Sequence, residues 1–595
     1  MNQFFKFLFA SCLGTFLALF LLFFIGFGAI ASLAGSASEK QKVEIPANSV
    51  LELRLEQNIP EKTNNLPMDP FTLEQDDVLG LTDMVKAIQQ AKEDPDIKGI
   101  YLDASVVTAG KATSSVLRNA LTEFKSSGKF IIAYAPYYTQ NAYYMASVAD
   151  SVLINPLGAV DFRGYSSMIA FYKDMLDRLD VQMRIFYAGK FKSATEPFRL
   201  DKMSDENRTQ IRAYLNDLYA GFLQDISKSR GIAPEKLRQI ADNFEGQSAE
   251  TALQAGLVDR IAYEDEVHTL LKTKAGLKED AKLKLINLTD YFNSRAKKLD
   301  LSAKEKIAVL YAEGTIRDGE SLEAGEIFDA DYVKMLRTIR KDTKVKGLVL
   351  RINSPGGSVL ASENILREIT LFKKTGRPVV VSMGDVAASG GYYIACKADS
   401  IFAEQNTITG SIGVFGIIPV LQNTMKNKLG ITFDTVRTGR YSAFGTPFYD
   451  FSPEESRMIQ TRVDGIYEDF LRIVSEGRGM TRDEVHAIAQ GRVWSGAKAL
   501  EIGLVDQIGG LDRAVQAAAK LAKVEKYRTT EYPRTKTGLE QILERLAQTR
   551  DRDNTIRTWL LRSEMGDLYP MYKSLQDFRE SDGIQARLPY ELIIR

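Results

Sequence analysis

Histidine and cysteine are almost missing from this chain of 595 residues, with two of each. Cys12 lies in an apolar N-terminal run and Cys396 in "GYYIACKADS", so neither a disulfide framework nor a bridge between them is expected. A structural zinc site of the usual ligand types is nearly excluded as well, and no cofactor or metal is expected. A surplus of one charge is also lacking. Lys and Arg total 77, as do Asp and Glu, which argues against a nucleic-acid footprint. His268 in "EDEVHTLL" and His486 in "RDEVHAIA" sit on amphipathic stretches that do not correspond to one another, and both read as ordinary helix residues. What remains is a common globular mixture, 45% hydrophobic and 26% charged, long enough for two or more domains.

The N-terminus is the exception to that mixture. No charged residue occurs from Phe7 to Ser38, and "FLALFLLFFIGFGAIASLAG" is almost wholly apolar. About 20 apolar residues span a bilayer core as a helix, so residues 1–36 are expected to form one transmembrane anchor. Lys6 before the run favours a cytoplasmic N-terminus, with the bulk of the chain on the periplasmic or extracytoplasmic side of the inner (cytoplasmic) membrane. The small residues of "SLAG" and "GSAS" leave a cleaved signal peptide as the alternative.

The rest of the chain repeats itself. "PDIKGIYLDAS" resembles "TKVKGLVLRIN", with Lys98 and Lys346 separated by 248 residues, and the similarity continues at nearly the same shift. "AYYMASVADSVLINP" matches "GYYIACKADSIFAEQ", "GKFKSATEPF" matches "GRYSAFGTPF", and "ALQAGLVDRI" matches "ALEIGLVDQI". A period this long marks a domain duplication, not a solenoid. Within each copy, β-branched runs such as "KFIIAYA" and "PVVVSMG" alternate with amphipathic stretches, which predicts an α/β fold with crossover helices. The expected organisation is an N-terminal repeat over 45–292, a polar linker over 293–306, a C-terminal repeat over 307–527, and a charged helical tail over 528–595.

Where paired positions differ, chemistry is expected. "TITGSIGVFG" places Ser411 in a glycine-rich turn, opposite Phe162 of the first copy. Lys192 in "GKFKSATEPF" falls opposite Ser442, so only the first copy has a lysine there. A lysine held neutral by burial can act as a base, and Ser–Lys pairs replace the histidine of a triad. Phe191, Ala194, Pro197 and Phe198 could desolvate Lys192, whereas Glu196 would oppose that if the two met. "RINSPGGSVLASE" puts Gly356 and Gly357 between a strand and a helix, a setting for backbone N–H groups aimed at an oxyanion, and "LDASVVTAGKATSS" lacks that adjacent pair. Ser389 in "AASGGYY" is a rival nucleophile, glycine-flanked after a strand. Ser354 and Ser358 read as residues that shape the glycine turn, Lys190 as a surface cation, and the pairs Tyr143–Tyr144 and Tyr392–Tyr393 as packing residues shared by both copies.

"NSPGGS", "ASGGYYIACKADSIFA", "TGSIGV" and "KSATEPF", in a duplicated chain behind an apolar N-terminus, resemble the signal peptide peptidase A (protease IV) family, over nearly everything from Ile97 to Val515. The resemblance implies two tandem ClpP/crotonase-like domains and a membrane-anchored serine endopeptidase with a Ser–Lys dyad. Carried over, Ser411 looks like the nucleophile, Lys192 like the general base, and Gly357 with Gly356 beside it like the oxyanion hole. It also implies signal-peptide remnants as substrates, contact with the lipid bilayer through the N-terminal helix, and a homotetramer. Two other classes compete. A crotonase-type acyl-CoA enzyme would share the fold and the oxyanion turn, and a non-catalytic envelope scaffold could lose Ser411 or Lys192.

Overall fold

The structure, a computed structural model, describes residues 14–15, 20–21, 44–64, 78–295, 302–321, 325–534 and 585–587. The chain divides into two compact units, Met1–Glu44 with Arg534–Pro570, and Ile45–Pro533 with Met571–Arg595. Every element below belongs to the second. The anchor expected over 1–36 lies outside the described residues apart from positions 14, 15, 20 and 21. Among the described residues no helix is long and apolar enough to cross a membrane.

In the first repeat, β1 (Ser49–Leu53), β2 (Ile97–Asp103), β3 (Phe130–Ala135), β4 (Ser151–Ile154), β6 (Arg260–Ile261) and β7 (Leu285–Asn287) form one parallel sheet in the order β6-β4-β3-β2-β1-β7. β5 (Gln182–Ala188) leaves that sheet for another. Runs such as "FIIAYA" are apolar on both faces because helices cover both sides, as a parallel sheet requires.

The second repeat supplies β8 (Glu305–Glu313), β9 (Thr315–Arg317), β10 (Glu326–Phe328), β11 (Val345–Ser354), β12 (Gly356–Ser358), β13 (Val379–Ala388), β14 (Ser400–Ala403), β15 (Ile408–Gly410), β16 (Val414–Val420), β17 (Val493–Ser495), β18 (Gln507–Ile508) and β19 (Tyr527–Tyr532). Its main sheet runs β17-β15-β13-β11-β8-β19, with β14 on β13 and β18 on β14. The path β18-β14-β13-β11-β8-β19 therefore repeats the strand order of the first repeat. The helices Lys111–Lys125 and Val359–Lys373 are also counterparts, as are Asp205–Arg230 and Pro453–Arg478. Both pairs keep the 248-residue shift, so the duplication read from sequence is a duplication of structure.

The long strand β13 differs from its counterpart β3. Its first half pairs with β14 (Val380↔Ser400) and its second half with β15 (Val386↔Ile408). It thus carries the chain from the core sheet to Ser389 at its end, while β15 delivers Ser411. A third sheet, in the order β10-β9-β12-β20-β16-β5, crosses the repeats, with β20 being Gln585–Arg587. β5 of the first repeat lies antiparallel to β16 of the second, from Ala188↔Val414 to Val420↔Gln182.

Two differences from the sequence reading concern the two ends of the second repeat. The tail expected to be helical from 528 holds strands and no helix among its described residues: β19 extends the second sheet alongside β8, and β20 enters the third. The remainder of 535–595 lies outside the described residues. At the other end of the second repeat, β8 begins at Glu305, inside the stretch read as linker.

Candidate active site

The β5–β16 pairing sets the site. It brings Gly189, just past β5, beside the turn that precedes β16, so that Lys192 of the first repeat reaches the serines of the second within one chain. The loop around Lys192 is held from several sides. Phe191 N–H donates to the Gln490 carbonyl at 2.8 Å, and Gln210 Nε2 donates to the Phe191 carbonyl at 3.0 Å and to Ser193 Oγ at 3.1 Å. Gly491 passes so close that a Cβ on it would stand 2.6 Å from that of Lys192. On the facing side, Ser411 N–H donates to the Arg492 carbonyl at 2.7 Å, and Ser389 N–H donates to the Gly410 carbonyl at 2.8 Å.

Lys192 Nζ lies 3.0 Å from Ser411 Oγ, as expected, but also 2.9 Å from Ser389 Oγ and 3.2 Å from the Ser411 carbonyl oxygen. All three residues are sealed: Ser389 and Ser411 have no exposed surface and Lys192 has 1%. That burial alone drives the Lys192 amine well below the ordinary lysine range. Glu196 does not reverse it, because its carboxylate is occupied by Ser204 Oγ (2.5 Å) and Asn207 Nδ2 (2.8 Å). A neutral amine has two hydrogens and one lone pair. The Ser411 carbonyl can only accept, so the lone pair must face one of the two hydroxyls. The arrangement can therefore deprotonate a serine without histidine.

The two serines differ in what lies on their other side. Both sit at positive φ, 55° for Ser389 and 52° for Ser411, so backbone strain does not separate them. Gly390, however, abuts the glycine turn: a Cβ on Gly356 would stand 2.6 Å from Gly390 N, and one on Gly390 would stand 3.1 Å from Gly357 N. The surroundings of Ser411 are instead Arg492 and Trp494, which a Cβ on Gly410 would meet. Ser389 is thus followed directly by the glycine that abuts the expected oxyanion donors, and Ser411 is not. The sequence reading expects the nucleophile at Ser411, with Ser389 as its rival. It lacked any signal that one lysine touches both, although the strand-then-glycine context of "AASGGYY" was visible.

Other residues singled out in the sequence have structural partners. Ser354 Oγ accepts from Gly356 N–H at 3.2 Å, and Ser358 caps the helix Val359–Lys373 by accepting from Ala361 N–H at 3.2 Å. Gly356 has φ 97°, a conformation that side chains disfavour. Tyr143 and Tyr392 pack as a matched pair, donating to the Leu257 and Leu504 carbonyls at 2.8 and 2.9 Å. Lys190 is exposed over the Phe191 ring, and His486 Nδ1 meets Tyr467 OH at 3.0 Å.

Comparison with known proteins places this geometry in a family. The model of Peptidase family S49 matches twice, over residues 123–278 and 371–525, one match in each repeat. "Protease 4" of Haemophilus influenzae is 39% identical over 448 residues, 74% of this chain and 72% of that protein. "Protease 4" of Salmonella typhi is 37% identical over 473 residues, 78% of this chain and 75% of that protein. "Serine protease SPPA, chloroplastic" of Arabidopsis thaliana is 32% identical over 476 residues, 78% and 69% respectively. With a duplicated α/β fold, matches in both repeats and relatives aligned over most of their length, the chain belongs to peptidase family S49.

Proposed function

We propose that the protein is a membrane-anchored serine endopeptidase that degrades cleaved signal peptides through an acyl-enzyme, with Lys192 as general base. The observation that carries this reading is the buried Lys192 amine within 3.0 Å of two serine hydroxyls, beside the Gly356–Gly357 turn. Ser389 is the nucleophile the geometry favours. Its Oγ attacks the substrate carbonyl carbon while Lys192 Nζ takes its proton, and the resulting oxyanion is met by the Gly357 N–H, with Gly356 shaping the turn. Lys192 then returns the proton to the departing amine. A water molecule, deprotonated by the same amine, hydrolyses the ester and restores Ser389. Ser411, through its hydroxyl and carbonyl, orients Lys192.

The second reading keeps Ser411 as nucleophile, supported by its own 3.0 Å contact with Lys192. Peptide hydrolysis by the full chain and by Ser389→Ala, Ser411→Ala and Lys192→Ala variants separates the two. Loss of about 10³-fold or more in Ser389→Ala and Lys192→Ala, with a fall of about 10–100-fold in Ser411→Ala, is expected. Near-complete loss in Ser411→Ala with activity retained in Ser389→Ala makes Ser411 the nucleophile. Undiminished cleavage in all three removes the dyad.

Signal-peptide remnants as substrates, insertion of residues 1–36 in the inner membrane with the catalytic part outside the cytoplasm, and a homotetramer belong to the same proposal. The support is the apolar Phe7–Ser38 run and the family. Protease protection in spheroplasts and the mass of the detergent-solubilised protein test the last two.

A further inference from the structure

A catalytic centre with no exposed surface has to be uncovered before a substrate reaches it, and a strand of this same chain lies against the glycine turn beside it. β20 lies between β12, which carries the glycine turn, and β16, which starts three residues after Ser411. It runs antiparallel to both, pairing Ser358↔Gln585, Gly357↔Ala586 and Gly356↔Arg587 on one side and Phe415↔Gln585 on the other. The approach is backbone to backbone. A Cβ on Gly356 would collide with the Ala586 carbonyl oxygen, and one on Gly390, next to Ser389, would stand 3.1 Å from it. The carbonyl of Ala586 thus sits at the glycine turn where the proposed reaction needs the carbonyl of a substrate. Ala586 is 1% exposed and Gln585 8%, so the strand fills its slot.

An extended peptide inserted between two strands takes affinity from main-chain hydrogen bonds and selectivity from side-chain pockets. We propose that residues 585–587 are an intrinsic occupant of the peptide-binding cleft, an autoinhibitory strand that a substrate must displace, and that a small residue is required where Ala586 stands. The inference rests on the reading of Ser389, Lys192 and Gly357 as one peptidase site. While the strand is seated, the apparent affinity for substrate falls by the fraction of molecules in which the cleft is open. A cleft open in about a tenth of molecules raises KM about tenfold without altering the chemical step.

Two measurements on the full chain test this. In the first, Ala586→Trp, whose side chain the slot cannot enclose, and a chain ending at residue 584 are compared with the parent on a small reporter peptide. Both are expected to lower KM about tenfold with kcat nearly unchanged. In the second, Ser389→Ala is combined with each change and binding of a labelled peptide with the sequence of residues 582–590, DGIQARLPY, is followed by fluorescence anisotropy. The freed cleft is expected to bind it about tenfold more tightly than the cleft with β20 intact, and an Ala→Trp version of the peptide is expected not to bind. Equal affinity with and without the intact strand, together with an unchanged KM, overturns the inference while leaving the peptidase reading standing. Tighter binding by the freed cleft in a protein that cleaves no peptide upholds the occupant and removes the peptidase reading. If the shortened chain does not fold, the Ala586→Trp pair alone decides.

Discussion

The two repeats share strand order and helix placement, yet the same place in each does opposite things. At the start of the helix Val359–Lys373, the turn Gly356–Gly357 leaves its backbone open to a peptide strand. At the start of the helix Lys111–Lys125, the counterpart of Gly357 is Ala109, and the helix start is filled by Asp385 of the other repeat. Asp385 Oδ1 accepts from the Ala112 and Thr113 N–H groups at 2.8 and 3.0 Å, and Oδ2 accepts from Thr113 Oγ1 at 2.5 Å. The position proposed to meet a developing oxyanion in the second repeat is taken by a fixed carboxylate in the first. The nucleophile region diverges likewise. Phe162, opposite Ser411 in sequence, packs edge-on against Tyr143 at 5.7 Å and beside Phe222 at 5.6 Å. Under the proposed function, the first copy supplies the lysine and the second the groups that meet substrate.

The largest test of that division removes the lysine. Lys192→Met is expected to lower activity by about 10³-fold or more while the protein stays folded. Its effect on stability has a definite sign. Burial lowers the native pKa of Lys192 below its ordinary 10.5, so between the lowered value and 10.5 the unfolded chain binds a proton that the native state does not. Native stability from this group therefore falls as pH drops below 10.5 and is fully restored above it. Lys192→Met escapes that cost but loses the three contacts of the amine, so its Tm relative to the parent's should fall from pH 7 towards pH 10.5. A Tm difference between variant and parent that does not change between pH 7 and 10.5 contradicts a desolvated amine. In the parent, kcat/KM should rise with pH through the lowered lysine value and level off before 10.5.

Next in size is the glycine that the first repeat lacks. A Cβ at Gly357 would stand 2.7 Å from the carbonyl carbon of Ile316 in β9, and backbone cannot yield as a flexible side chain can. Gly357→Ala, which imitates Ala109, should lower kcat by about 10²–10³-fold, the scale of a lost oxyanion donor. Undiminished kcat with normal folding would mean that the oxyanion is met elsewhere.

Much of this was legible in the sequence, and what was not has physical causes. The duplication, the α/β class and Lys192 followed from periodicity and from comparing paired positions, since buried parallel strands leave continuous apolar runs in both copies. The pairing of β5 with β16, which carries Lys192 to the second repeat, left no such mark because only a sequence separation of more than 200 residues links the two strands. That one amine reaches both Ser389 and Ser411 was not legible, because the region paired with Ser389, "YYTQNAYY", holds no lysine and the comparison of copies therefore pointed to Ser411 alone. β20 was illegible altogether: Gln585–Arg587 is too short to show a period, and it is defined by the slot that receives it.

The aromatic replacement in the first repeat offers a test of structure without chemistry. Phe162 is 1% exposed, and Phe162→Ala should cost about 3–5 kcal/mol of stability by urea unfolding, since the surrounding rings can collapse only in part. Activity per folded molecule should not change. A fall in kcat greater than tenfold at full folding would mean that the first repeat's aromatic cluster transmits to Lys192.

The smallest expected effect belongs to Asp385, and it bears most directly on how the copies were divided. Asp385→Asn keeps an oxygen for the Ala112 and Thr113 N–H groups but loses the charge at the helix start and the strong acceptor for Thr113 Oγ1. A charge at a helix N-terminus and one weakened hydrogen bond together amount to about 1–2 kcal/mol, so unfolding should shift by that much. Asp385 lies on β13, four residues before Ser389, and this gives the variant a second reading. If the carboxylate only joins the repeats, kcat stays within about twofold while stability falls. If it also fixes the end of β13, kcat falls with it and KM does not, because Ser389 would be misplaced relative to Lys192 even in a correctly filled cleft. The first outcome makes the filled anion position of the first repeat a clamp, and the second makes it part of the aim of the nucleophile.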